Sequence, residues 1–147
     1  DLDGDPVSVA GVVPVAPGPS VSGDTSGVAV PINAEAAHVY TECARLYNPI
    51  HTDTAVAEAA GLPGPILHGT ATLAIAVSAV LDAIASGEPS TLRRLGCRFG
   101  AMVPMPDRIR VRIGEPVATD TGQVVGFAVD NGRGEQAISD GWVALDP

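Results

Sequence analysis

The sequence contains no lysine. All eight basic residues are arginines: Arg45, Arg93, Arg94, Arg98, Arg108, Arg110, Arg112 and Arg133. Without an ammonium side chain there can be no Schiff-base catalysis and no Walker-type phosphate loop. Positive charge is also outnumbered, since seventeen carboxylates leave a formal net charge of −9. Nucleic acid and anionic membranes both need a basic surface, so neither is expected as the main partner. Cysteine is limited to Cys43 and Cys97. Two thiols are no disulfide framework; they read as reduced, partly buried side chains of a cytoplasmic protein. Three scattered histidines and no cysteine pair at ligand spacing give no metal site. Long apolar runs are missing as well. The longest, Ala71 to Leu81, is interrupted by Thr72 and Ser78 and is too short to span a bilayer. Neither a leader pattern nor an initiator Met opens the chain, which therefore reads as trimmed, processed or cut from something longer.

What remains suffices for one domain. The chain has 147 residues, 46% of them hydrophobic, which is enough apolar material for a core. Residues 1–27 are rich in Pro and Gly and read as a linker or irregular segment, with Val7 to Val15 as a candidate edge strand. Such a linker suggests that another domain once preceded it. Residues 28–147 read as the folded domain, opened by a strand from Val28 to Ile32.

Periodicity orders the rest. Ala36, Val39 or Tyr40, Cys43 and Leu46 recur at helical spacing, so a helix is expected from Ala34 to about Leu46, capped by Asn33 and broken by Asn48-Pro49. Asp53 or Thr54 caps a short helix through Ala60, with Gly61 as its C′ residue. A long helix apolar on nearly every face follows from Thr70 to about Ala85. Beyond Pro89 the period changes to two. Leu92 to Phe99, Arg108 to Ile113, Gln123 to Val129 and Ala137 to Leu145 read as four strands of an antiparallel meander, with a turn at Asn131-Gly132-Arg133-Gly134. Helices first and strands afterwards indicate an α+β fold rather than alternating βαβ units.

Chemistry concentrates between Tyr47 and Gly69. His51 lies in a Pro-broken segment where its side chain can face a cleft. Gly69 opens the long helix, where backbone N–H groups lack partners and carry the positive end of the dipole. A base facing a helix N-terminus suits proton transfer beside a thioester carbonyl: one group moves the proton and the N–H groups hold the enolate oxygen.

Asn48-Pro49-Ile50-His51-Thr52-Asp53, then Ala60-Gly61, then Gly64-Pro65-Ile66-Leu67-His68-Gly69 resemble the motifs of the MaoC-like dehydratases and (R)-specific enoyl-CoA hydratases. The resemblance covers Val28 to Leu145. It implies a hotdog fold, with a long apolar central helix wrapped by a curved antiparallel sheet. It further implies hydration of trans-2-enoyl thioesters, or dehydration of 3-hydroxyacyl thioesters, carried on coenzyme A or acyl-carrier protein, with no cofactor beyond that substrate. His51 would be the catalytic histidine, Gly69 the oxyanion N–H and Asn48 a supporting polar group. A homodimer, or a heterodimer with another hotdog chain, is implied as well.

One position departs from the pattern. The family's catalytic Asp stands two residues before the Asn, and here that residue is Leu46. Glu42, one helical turn earlier, and Asp53 are possible substitute acids. Alternatively His51 serves alone, or the chain is a non-catalytic hotdog that binds acyl chains and pairs with an active partner. His68 and Thr70 flank Gly69 as substrate-binding candidates, although a structural role suits His68. Arg93, Arg94 and Arg98 are candidates for the phosphates of coenzyme A or for an acidic carrier protein. Arg108, Arg110 and Arg112 alternate with apolar residues, and a solvated sheet face explains them as well as a phosphate strip does.

Overall fold

The computed structural model describes Val21 and residues 27–146. The expected strand from Val7 to Val15 lies outside the described residues. The element order is β1 (Gly27–Ile32), α1 (Ala36–Ala44), α2 (Thr54–Ala59), α3 (Gly69–Ile84), β2 (Leu92–Phe99), β3 (Asp107–Ile113), β4 (Val117–Thr119), β5 (Gly122–Asp130) and β6 (Gln136–Leu145), with single 3-10 turns at Pro49–His51 and Pro89–Thr91.

All strand pairings are antiparallel, and the sheet runs β1-β3-β5-β6-β2 with β4 on β5. The four expected strands are present, but they are not a simple meander. β2 skips its sequence neighbour β3 and pairs with β6, placing Gly96 opposite Trp142. β4 was not expected; its three residues are all exposed and leave no apolar pattern. β6 carries one extra residue opposite both neighbours near Asp140, whose φ of 50° is left-handed. Such a bulge bends and twists the strand, so the sheet curves around α3.

The core lies between α3 and the sheet. Alternation puts Ile109 and Val111 of β3 inside, beside Val125, Phe127 and Val129 of β5, and Ala76, Val77 and Val80 of α3 pack with them. Each fully buried Val, Ile or Phe side chain contributes about 1.5–3 kcal/mol. The opposite flank of α3 is bare: Ala74, Ser78 and Asp82 are exposed and line a groove of about 600 Å³ with Val28 and Val30 of β1. The apolar sequence of α3 had suggested cover on nearly every side.

α1 is shorter than expected. Its N-cap residue is Glu35, without a side-chain cap, while Asn33 contributes only its carbonyl to a turn with Ala36. The helix stops at Ala44 because Arg45 turns left-handed, at φ 56°. Its buried face is Ala37 and Thr41, with Ala36 and Tyr40 half-buried. Of the expected apolar positions, Cys43 and Leu46 are exposed; of the alternatives Val39 and Tyr40, Val39 is exposed and Tyr40 packs on the core. Cys97 is half-buried, and both thiols are free. No helix among the described residues is long and apolar enough to cross a membrane.

Candidate active site

The segment that carries the motif folds through local hydrogen bonds. Asn48 Oδ1 accepts the Ile50 N–H at 3.4 Å and Pro49 starts the 3-10 turn that ends on His51. Asp53 Oδ1 accepts the Val56 N–H at 3.1 Å, capping α2. At the other end Gly61, with φ 78°, is the left-handed C′ residue. Its N–H bonds the Glu58 carbonyl, and the Leu62 N–H bonds that of Ala57. This double closure reverses the chain and sends it past the Gly64-Pro65 turn towards α3.

His51 and His68 meet there. Their rings stack with centroids 3.7 Å apart and planes 26° from parallel. His51 Nδ1 lies 2.8 Å from the Ile66 carbonyl. A carbonyl only accepts, so Nδ1 carries the hydrogen and Nε2 holds the lone pair. His68 is tied the opposite way. Its Nε2–H donates to the Leu46 carbonyl at 3.3 Å, and Thr41 Oγ1 lies 3.3 Å from the same nitrogen. The Tyr40 ring leans on His68 at 5.0 Å. His68 is 4% exposed, and burial, together with neighbouring His51, pulls its pKa below the usual imidazole value.

His51 and Gly69 line one cavity of about 130 Å³, closed by Thr72 of α3, by Phe99 at the end of β2 and by Met102 and Val103 from the β2–β3 connection. α3 begins at Gly69, so that N–H has no partner within the helix. A Cβ at this position would lie 3.1 Å from Phe99 Cδ1, so glycine lets the Phe99 ring close over the helix start. Thr72 turns its hydroxyl back to the His68 carbonyl at 3.3 Å.

The other candidates fall elsewhere. Leu46 is 46% exposed, and only its carbonyl joins the site. The Glu42 carboxylate is exposed and accepts the Tyr47 hydroxyl at 3.3 Å, and Asp53 is occupied as a cap. Thr70 is exposed in the first turn of α3. Arg93 is paired with Asp146, which holds that carboxyl below its ordinary value. Arg98 lies 3.6 Å from Asp140 in the open, and Arg94 is exposed. None of the three arginines lines the His51 cavity. On β3, Arg112 makes a bidentate pair with Asp130 at 2.7 and 3.1 Å, and Arg110 lies over Gly27. Arg112 is thus built into the sheet face, while Arg108 and Arg110 are exposed. Burial pushes the Cys97 thiol up, away from a nucleophile's range.

Sequence reasoning missed the ring stack, Thr41, Phe99 and Met102. His51 and His68 both belong to the motif, but nothing in it signals that their rings stack. The β2–β3 connection carries no signal, because the register of β2 on β6 brings it to the site: Gly100 and Ala101 bond the Ala137 and Gln136 carbonyls.

A long helix held in a curved antiparallel sheet, with a histidine beside its N-terminus, is the hotdog architecture. The chain belongs to the MaoC-like dehydratase family: the match to the MaoC like domain spans residues 21–135. It is 42% identical over 53 residues to "Enoyl-CoA hydratase 2, peroxisomal" of Arabidopsis thaliana, covering 36% of this chain and 17% of that protein. The structure of full-length peroxisomal multifunctional enzyme type 2 from Drosophila melanogaster superposes with a TM-score of 0.77 at 32% identity, covering 97% of this chain and 25% of that one. The (R)-hydratase from A. caviae involved in PHA biosynthesis shares the fold, with a TM-score of 0.69 at 22% identity over 82% of this chain and 92% of that one. The chain thus spans a small part of the length of the curated relatives it matches, 17% and 30% for two of them.

Proposed function

We propose that this domain, residues 28–147, hydrates a trans-2-enoyl thioester or dehydrates a 3-hydroxyacyl thioester, with His51 as its acid/base. The observation that carries the reading is the His51 Nδ1–H bond to the Ile66 carbonyl. It leaves Nε2 as the single basic atom of the ring, on a residue that lines the same cavity as Gly69. In hydration, Nε2 takes a proton from water as the water oxygen bonds to the β-carbon. The double-bond electrons move through Cα to the thioester oxygen, and the Gly69 N–H at the positive end of α3 holds that charge. His51 then returns the proton to Cα and the carbonyl re-forms. Because one group removes and returns the proton, H and OH arrive on the same face of the double bond.

Leu46 marks what this site does without. A side chain at that position lies near the loop of His51, and an alkyl group neither holds water nor moves a proton. A positioned acid or base is worth about 10²- to 10⁴-fold, so His51 alone supports a slow reaction. A second reading has its own observation: α1 and the segment after it leave three large apolar residues, Leu46, Tyr47 and Val39, at 46%, 65% and 63% exposure. In that reading the chain is one half of a hotdog pair, shapes the acyl site and leaves chemistry to its partner.

The deciding measurement is loss of enoyl-thioester absorbance on short and long trans-2-enoyl-CoA and on the carrier-protein thioester. The first reading expects turnover by the chain alone, abolished in His51→Ala. Activity that appears only with a second hotdog chain, and survives His51→Ala, decides for the pair.

A further inference from the structure

His51 and His68 are linked by a crossed pair of hydrogen bonds. Each ring donates its one N–H to a backbone carbonyl on the other's segment: His51 to Ile66, two residues before His68, and His68 to Leu46, five residues before His51. The stacked rings fill the space between. His68 Nδ1 is fully buried and is the one such side-chain atom without a partner among the described residues. An N–H at that nitrogen would face no acceptor, and a buried unsatisfied donor is costly. Only the neutral form with hydrogen on Nε2 suits this environment.

We propose that His68 is a positioning residue that acts through His51: as a neutral, Nε2-protonated ring stacked on His51 and tethered to the Leu46 carbonyl, it holds His51 in the tautomer whose Nε2 is basic. The inference rests on His51 being the acid/base, but the geometry can be tested without any activity. Without His68 the 46–51 loop loses its tether to the segment before α3, and the His51 ring loses the surface that sets its plane. The Ile66 carbonyl then no longer selects between the two ring nitrogens.

The experiment is long-range proton–nitrogen NMR of the imidazoles in the intact chain. The sequence has three histidines, so substitution of each assigns its ring. At neutral pH the wild-type chain should show His51 protonated on Nδ1 and His68 on Nε2. Finding the hydrogen of His68 on Nδ1 overturns the proposal before any variant of the pair is compared. In His68→Phe, which keeps a ring but no N–H, His51 should exchange between both tautomers. His68→Gln, which keeps an N–H for Leu46 but no ring, should restore part of the wild-type pattern. Where turnover is measurable, kcat should fall about tenfold in His68→Phe with KM nearly unchanged, as expected for a misoriented base. A purely structural role lowers stability but leaves the His51 nitrogens as they are. That result in a folded His68→Phe protein overturns the proposal. An inactive wild-type chain whose His51 tautomer still depends on His68 sustains the positioning role and removes the hydratase reading instead.

Discussion

The indole of Trp142 lies directly over Gly96, its partner across the β6–β2 ladder, so close that a Cβ on Gly96 would come within 2.7 Å of the indole Nε1. Trp142 is 8% exposed. Gly96→Ala must therefore displace the indole or spread the two strands. Overpacking of this kind costs about 1–3 kcal/mol. Trp142 is the only tryptophan, so its fluorescence reports the local shift while a urea titration gives the loss. An unchanged midpoint would show that the indole moves freely.

Arg45 holds a left-handed backbone at the end of α1, with φ 56°, and its side chain is exposed. An L-residue in that region costs about 1–2 kcal/mol, part of which glycine returns as lost chain entropy. Arg45→Gly should raise stability by about 0.5 kcal/mol, seen as a small rise in thermal midpoint. A fall would mean that the Arg45 side chain makes a contact that outweighs the backbone term.

Leu46→Asp tests the neighbouring position directly. The residue is half exposed, so a carboxylate there keeps its hydration and the fold is maintained. With His51 in place, the added group should raise kcat by about 10²- to 10⁴-fold, measured as initial rates on an enoyl thioester. The gain should vanish in the double variant with His51→Ala. An identical rate in wild type and Leu46→Asp would show that position 46 does not reach the reacting atoms.

Asn131 is 4% exposed and fully engaged. Its Nδ2 donates to the Met102 carbonyl at 2.8 Å and to Glu135 at 2.9 Å, and its Oδ1 accepts the Arg133 and Glu135 N–H groups at 3.0 Å each. The side chain thus joins the β5–β6 turn to the connection that walls the His51 cavity. Asn131→Ala should cost about 2–4 kcal/mol in chemical denaturation, and hydrogen exchange should quicken across 100–104. Stability loss without that local quickening would confine its role to the turn.

His68 also gives stability a pH dependence. Its folded pKa lies below the ordinary value, so over the interval between them the unfolded chain binds the proton and the native chain does not. Stability then rises with pH across that interval. The contribution is fully present above about 6.5, the unfolded value, and is lost as pH falls to the folded value. His68→Phe should flatten the fall of the thermal midpoint as pH drops below about 6.5. An unchanged slope in the variant would assign the dependence to other groups.

Local rules read much of this protein directly. The Asp53 cap, the Gly61 reversal, the α3 boundary and the alternation of β3 each depend on residues close in sequence, and each matches the structure. The partner of β2 did not follow, because strand order is decided by packing against α3 rather than by neighbours along the chain. α1 was misread for a related reason. Cys43 and Leu46 keep helical spacing but lie outside, while Tyr40 packs on the core beside small Ala37 and polar Thr41, which occupy the close approach. His51 and Gly69 were legible as a motif. The stacking of His68 on His51 was not, since a buried histidine and a surface one leave the same mark in sequence.

The crossed imidazole bonds span only 15 and 22 residues of chain, whereas the sheet must gather strands from both ends of the domain. On the proposed function, the acid/base therefore sits on a locally tied loop beside a frame built from distant strands. Local opening of such a loop needs less free energy than global unfolding, and none of the strand pairings depends on the two imidazole bonds. On the same reading, one or two substitutions in that loop would alter the site and leave the scaffold's strand pairing unchanged.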